Sequence, residues 1–260
     1  MCSKGYPGLE IQWLHGLQGF EKVWAKMRQY TLARNQLSAD CIWLLQHEPV
    51  YTLGQAGRAD HIINPGHIPV VHTDRGGQVT YHGPGQLIAY CLIDLRRHGF
   101  YVKSYVAQLE QVIMDTLAYF GADYACLKPG APGVYVPVNQ VVQPIMQTNS
   151  LKEQTHSMVE KDHEVNNETL DTTGQLRDDV NIREKQRLAK IAALGVKITK
   201  GCAYHGIAIN VDMDLSPFAG INPCGYAGLL TTDLAHCGIH TTVSRVGQQL
   251  AKQLEQVFSN

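Results

Sequence analysis

The run LIAYCLIDL, Leu87–Leu95, is apolar from end to end except for Asp94. It has the length of a strand and no alternation, the pattern of a strand buried on both faces. Cys41–Leu45, CIWLL, is a second apolar run of strand length. Helical spacing marks three further segments. Leu17, Phe20, Val23, Trp24, Met27 and Tyr30 predict an amphipathic helix over 17–35. Val102, Tyr105, Val106, Leu109, Val112, Ile113, Leu117 and Phe120 predict a second, closed near Gly121. Val243, Val246, Leu250, Leu254 and Val257 predict the last. Short strands are expected at 133–136, 196–200 and 204–211. Strands and helices interleave irregularly, so the expected fold class is α+β.

The long strand is entered through RGGQVTYHGPGQ, Arg75–Gln86, which sets four glycines and a proline around an arginine, a tyrosine and a histidine. Glycine costs more backbone entropy to order than any other residue. A phosphate loop of the Walker type is excluded, because no Lys-Ser/Thr follows the glycines. The dinucleotide fingerprint fails as well, since Gly83-x-Gly85 has Ile88 at the third required position. What remains is a loop that can bring backbone N–H groups close to a ligand, or a plain structural turn. Arg75, Tyr81 and His82 would add donors of different reach.

With 260 residues, 44% of them hydrophobic, the chain can bury a sizeable core. The formal net charge of −1 gives no basis for binding nucleic acid through its phosphates. The start, MCSKGYPGLEIQWLHG, lacks the apolar stretch of a secretory signal. No apolar run approaches the roughly 18 residues of a membrane span. A cytoplasmic protein that meets neither nucleic acid nor membrane is expected. Cysteines at 2, 41, 91, 126, 202, 224 and 237 form no CxxC pair, so reduced thiols are expected rather than a disulfide framework. Cys202-x-x-His205 and His236-Cys237 lack the paired spacing of a zinc site, so no metal is expected.

One segment departs from this pattern. From Pro137 to Arg187 there is no Phe, Trp or Tyr, and Gly174 is its one glycine. Within 150–180, eight acids outnumber Lys152, Lys161 and Arg177. Low hydrophobicity with excess like charge predicts a disordered or mobile insertion, with a partner-binding arm as the alternative.

The second informative stretch, Lys190–Gly225, contains another bare-backbone segment, His205-Gly206-Ile207-Ala208, and ends in Pro223-Cys224-Gly225. A cysteine between Pro and Gly sits in a turn. Its thiol becomes a nucleophile if a nearby cation lowers its pKa.

RGGQVTYHGPGQ, APGVYV, KIAALG, YHGIAINVD and INPCG, in this order, together with QHEPVYTLGQAG at 46–57, closely resemble the octanoyltransferases of lipoate biosynthesis. The resemblance runs from about residue 41 to about 235, apart from the insertion. It implies a single catalytic domain over 1–260 with the biotin/lipoate protein ligase-like fold, a mixed sheet flanked by helices. It also implies transfer of an octanoyl or lipoyl group from octanoyl-acyl carrier protein to a lysine of lipoyl domains. The acceptors implied are those of 2-oxoacid dehydrogenase complexes and the glycine cleavage H protein, and no cofactor is implied. Carried over residue by residue, the acyl-thioester cysteine falls on Cys224 and its partner lysine on Lys190. The acyl pocket falls on Arg75, Gly76, Gly77, Gln78, Val79, Thr80, Tyr81 and His82, on Ala193, Leu194 and Gly195, and on Gly206, Ile207 and Ala208. The insertion departs from the family pattern, leaving the matched motifs intact. An ATP-dependent lipoate or biotin ligase of the same fold, or an inactive acyl-binding scaffold, are the alternatives.

Overall fold

The computed structural model describes residues 8–142, 187–223 and 229–259. Cys224, and all but the ends of the 137–187 span, lie outside the described residues. In chain order the elements are β1 (Leu9–Gln18), α1 (Phe20–Ala33), β2 (Asp40–His47), β3 (Val50–Leu53), β4 (Val70–His72), β5 (Val79–His82), β6 (Gln86–Asp94) and α2 (Val102–Tyr119). After these come β7 (Cys126–Lys128), β8 (Ala131–Pro137), β9 (Leu188–Thr199), β10 (Cys202–Asn210), β11 (Leu230–Thr231) and α3 (Val243–Phe258). The main sheet runs β1-β2-β6-β10-β9-β8-β7, with β11 paired to β9; β4-β3-β5 form a small second sheet.

Strand β6 explains the layering. Every residue of Gln86–Asp94 is buried. Leu87, Ala89, Cys91 and Ile93 pack in one core with Tyr105 and Leu109 of α2 and Val246 and Leu250 of α3. Ile88, Tyr90 and Leu92 turn to the opposite face, where Val23 and Met27 of α1 cover them. Strand alternation thus places one side chain in two on each face, and helices dry both. The small sheet forms a third cluster, with Tyr51, Tyr81 and Phe218.

The expected helix over 17–35 is shorter in the structure because Leu17 belongs to β1, where it pairs with Gln46 of β2. Helix α1 begins after Gly19. The second and third helices lie where spacing puts them, and Thr242 caps α3 by accepting from Arg245 N at 3.3 Å. The strand expected at 196–200 is the end of a longer one, Leu188–Thr199.

Strands β8 and β9 are antiparallel neighbours, with Pro137 opposite Leu188. The 137–187 span therefore leaves and re-enters the sheet at adjacent points. Val138 N donates to Arg187 O at 2.8 Å across that gap, and Val138–Gln140 forms a short 3₁₀ turn.

Candidate active site

A cavity of about 390 Å³ lies between the α1 side of β6, β10 and β9 and the Arg75–His82 segment. Register makes it. Ala208 of β10 faces Ala193 of β9, and Gly206 faces Gly195. Two successive rows of the sheet therefore carry nothing larger than a methyl group. On the other side of β10, Ile88 pairs with Ala208 and Tyr90 with Gly206, so larger side chains wall the slot. Arg75–Gly77 closes over it: Gly76 N donates to Val196 O at 3.0 Å.

Of the residues singled out in the sequence, Arg75–Thr80, His82, Ala193–Gly195, Gly206–Ala208 and Lys190 line this cavity. Tyr81 does not. It points the other way from β5, its ring 5.5 Å from those of Tyr51 and Phe218. Cys224 lies outside the described residues, but Pro223 immediately before it lines the cavity.

Arg75 is a clamp. Its guanidinium donates to Thr52 O at 2.6 Å, Gln78 O at 2.8 Å, Gly76 O at 2.8 Å and Thr52 Oγ1 at 2.9 Å, tying the glycine loop to β3. Because Thr52 Oγ1 accepts from the arginine, its own proton is directed to His82 Nε2, 3.3 Å away. His82 Nδ1 donates in turn to Gln86 Oε1 at 2.7 Å, since the Gln86 amide nitrogen donates to Asn210 Oδ1 at 2.9 Å. Burial, reinforced by His47, pushes the His82 pKa down to about 3. Both of its ring nitrogens are engaged and the ring is neutral. His82 therefore has no N–H to offer an oxyanion, and the Gly76 amide, already bound to Val196, has none either.

Two further histidines flank the slot. His47 Nδ1 donates to Gln18 O at 2.7 Å, so Nε2 must accept, and it does so from the Tyr90 hydroxyl at 2.7 Å. Burial lowers its pKa to about 4. His205 lies 2.9 Å from Asp74 Oδ1 through Nε2, and its backbone sits at φ +62°. Burial raises the Asp74 pKa, but hydrogen bonds from His205, Tyr204 and Trp24 outweigh it and hold the carboxylate well below its usual range.

Lys190 sits in β9 opposite Thr231 of β11 and Tyr135 of β8. It is 7% exposed, a rare setting for a lysine. Its Nζ donates to Pro132 O at 2.8 Å and stands 5.5 Å from the centre of the Tyr135 ring. A buried ammonium at the wall of a largely apolar slot can stabilise an anion, or exchange a proton, at one end of a bound chain.

The profile of the lipoyl protein ligase A/B catalytic domain matches residues 21–255. The octanoyltransferase of Bordetella parapertussis is 51% identical over 96% of this chain and 93% of its own. That of Variovorax paradoxus is 44% identical over 95% and 96%. The chain belongs to the octanoyltransferases of this family. It is an acyltransferase. Among solved structures, a bipartite lipoate protein ligase from Thermoplasma acidophilum superposes with a TM-score of 0.58 at 12% identity, over 97% of this chain and 83% of that one. A lipoate-protein ligase A bound with ATP gives 0.54 at 13%, over 97% and 85%. These likenesses establish the fold.

Several lining residues of this octanoyltransferase escaped sequence reasoning. Phe20, Ile88 and Tyr90 line the cavity from segments that read as core, and Gln86 and Asn210 line it from within RGGQVTYHGPGQ and YHGIAINVD, motifs in which neither was singled out. A signal existed for Asn210: it is the polar terminus of the apolar run GIAIN. Among the described residues, no three His, Cys, Asp or Glu side chains are grouped as metal ligands, and no helix is long and apolar enough to cross a membrane.

Proposed function

We propose that this octanoyltransferase takes an octanoyl or lipoyl group from acyl carrier protein, holds it as a thioester on Cys224, and delivers it to a lysine of a lipoyl domain. The domains of 2-oxoacid dehydrogenase complexes and the glycine cleavage H protein are the proposed acceptors. One observation supports the reading: a buried lysine stands at the wall of a slot floored by alanine and glycine, whose lining includes Pro223, one residue before Cys224.

The chemistry divides into two balanced steps. The Cys224 thiolate attacks the carrier thioester, and the carrier thiolate leaves once the tetrahedral intermediate collapses. The lipoyl-domain amine then attacks the acyl-cysteine, an amide forms, and the Cys224 thiolate is expelled. Lys190 as ammonium favours the thiolate before the first step. It gives a proton to the departing carrier thiolate, and as the neutral amine it accepts, in the second step, the proton that the attacking amine must lose, which restores the ammonium. The acyl chain lies over Ala193, Ala208, Gly195 and Gly206, where an extended chain meets no large side chain.

Intact mass after incubation with octanoyl-carrier protein tests this. Wild type should gain one octanoyl group, and Cys224→Ala none. An adduct on another cysteine, or an acyl adenylate formed from free octanoate and ATP, would overturn the reading.

A further inference from the structure

Strand β8 is irregular just where it approaches Lys190. Its pairing with β7 shifts between Leu127 and Lys128, and its pairing with β9 shifts between Val134 and Tyr135. Pro132 and Gly133 fall between the paired positions on the β7 side and precede the first paired residue, Val134, on the β9 side, so neither is a register partner in the sheet. Gly133 has φ +124°, a conformation that needs glycine. The lysine side chain lies directly against it. A Cβ at position 133 would stand 2.6 Å from Lys190 Cε and 2.9 Å from Nζ.

The two ends of the Pro132–Gly133 peptide have different partners. Its carbonyl accepts from Lys190 Nζ at 2.8 Å. Its N–H donates to Glu110 Oε1 at 3.2 Å. Glu110 is a half-buried carboxylate on α2, one residue from buried Leu109 and one turn from Val106, which lines the cavity. Such a carboxylate on the packed side of a helix calls for a reason, because burial costs an acid unless a donor meets it.

We propose that Glu110 is a positioning residue for Lys190, fixing through the Pro132–Gly133 peptide the acceptor that holds the lysine at the cavity wall. The proposal rests on the role given to Lys190 above. A peptide group is planar, so its N–H and C=O point in opposite directions and rotate together. Anchoring the N–H on a carboxylate therefore aims the carbonyl. Hydrogen bonds in a chain also polarise one another, so the carboxylate makes the Pro132 oxygen a better acceptor for an ammonium. Glu110 touches neither the slot's occupant nor Cys224 in this scheme; it acts only through the peptide.

The test uses the full chain with octanoyl-carrier protein as donor and a lipoyl domain as acceptor. It follows kcat, KM for the lipoyl domain, and the pH dependence of iodoacetamide reaction at Cys224. Glu110→Met should lower kcat about tenfold, the worth of a charge-assisted hydrogen bond of moderate strength, at unchanged KM. It should also move the alkylation profile to higher pH. Glu110→Gln keeps an acceptor oxygen and should recover most of the rate. If Glu110→Met does not fold, Glu110→Asp, which keeps the charge but falls short by a methylene, should show the same loss. In a Lys190→Ala background the Glu110 substitution should add less than about twofold, because coupled residues are not additive. A Glu110→Met protein with wild-type kcat and profile, or an equal loss in the Lys190→Ala background, overturns the proposal. Wild-type kinetics in Lys190→Ala alone overturns instead the role of the lysine itself.

Discussion

The carbonyl oxygen of Gly76 faces Gly195 so closely that a methyl group at position 195 would stand 3.1 Å from it. The loop that closes the slot thus rests on the strand that floors it. Gly195→Val should fill the slot between them. Transfer of an octanoyl group should fall about tenfold or more, while a butanoyl group should be affected less, as expected when a pocket loses room for a few methylenes. Rates measured with carriers bearing the two chains check this; equal losses for both would mean that position 195 does not bound the chain.

Gly85, the last glycine of GPGQ, has a structural duty of its own. Its φ is +83°, and a Cβ there would lie 1.9 Å from Asp212 O. Its carbonyl accepts from Val211 N and Asp212 N, and its amide donates to Gln46 Oε1 at 2.8 Å. Gly85→Ala must strain or displace this junction, with an expected loss of about 2–4 kcal/mol in denaturant unfolding. A change below about 0.5 kcal/mol would contradict the close approach.

Acid should destabilise the protein through two histidines. His82 and His47 stay neutral in the fold down to pKa values of about 3 and about 4. The unfolded chain binds their protons near pH 6.5, so below that pH protons favour unfolding. Stability should be unaffected by these groups above about pH 6.5. It should fall with acidification by up to about 1.4 kcal/mol per pH unit for each, until the folded rings themselves titrate. Unfolding midpoints measured from pH 7 to pH 5 read this slope, and a flat profile would show that the folded rings take up protons as readily as the unfolded ones.

Lys190 should divide into two functions on substitution. Lys190→Ala should raise the pH at which Cys224 alkylates toward the free-thiol value of about 8.5. Lys190→Arg keeps a cation but cannot release a proton near neutral pH. It should retain part of the thiol reactivity and lose delivery to a lipoyl-domain lysine. An arginine variant competent in both half-reactions would remove the need for proton acceptance at this position.

Much of the scaffold was legible in the sequence, for a definable reason. Helices α2 and α3 carry long apolar stripes at helical spacing, and β6 is apolar enough to announce its burial. Strand β1 was not legible: it pairs with β2 on one side only, and its mixed residues, running into Leu17 and Phe20, extend a helical pattern that belongs to α1 alone. The small sheet hid inside the glycine-rich motif, since Val79–His82 is a strand whose partners lie before it in β3. At the site, resemblance brought forward Ala193–Gly195 and Gly206–Ala208, but not the opposition of Ala208 to Ala193 and Gly206 to Gly195. Register is a long-range property, and no local spacing encodes it. Likewise nothing in the order of residues says that a glutamate on α2 would meet Gly133.

The three strands that floor the slot also dictate when it can exist. Gln86 must pair with Asn210, and Tyr90 with Gly206, across nearly half of the chain. Loop closure over such a distance must precede any gain from the pairing, which makes long-range sheets slow to form. On the ribosome, a nascent chain that ends before β10 has emerged can lay β2 along one edge of β6 but has no partner for the other. The N-terminal portion therefore spends the greater part of its synthesis as a sheet waiting for its centre. Acyl-binding capacity should arise late and all at once, so that truncated translation products are inert toward acyl carriers and are natural clients for chaperones.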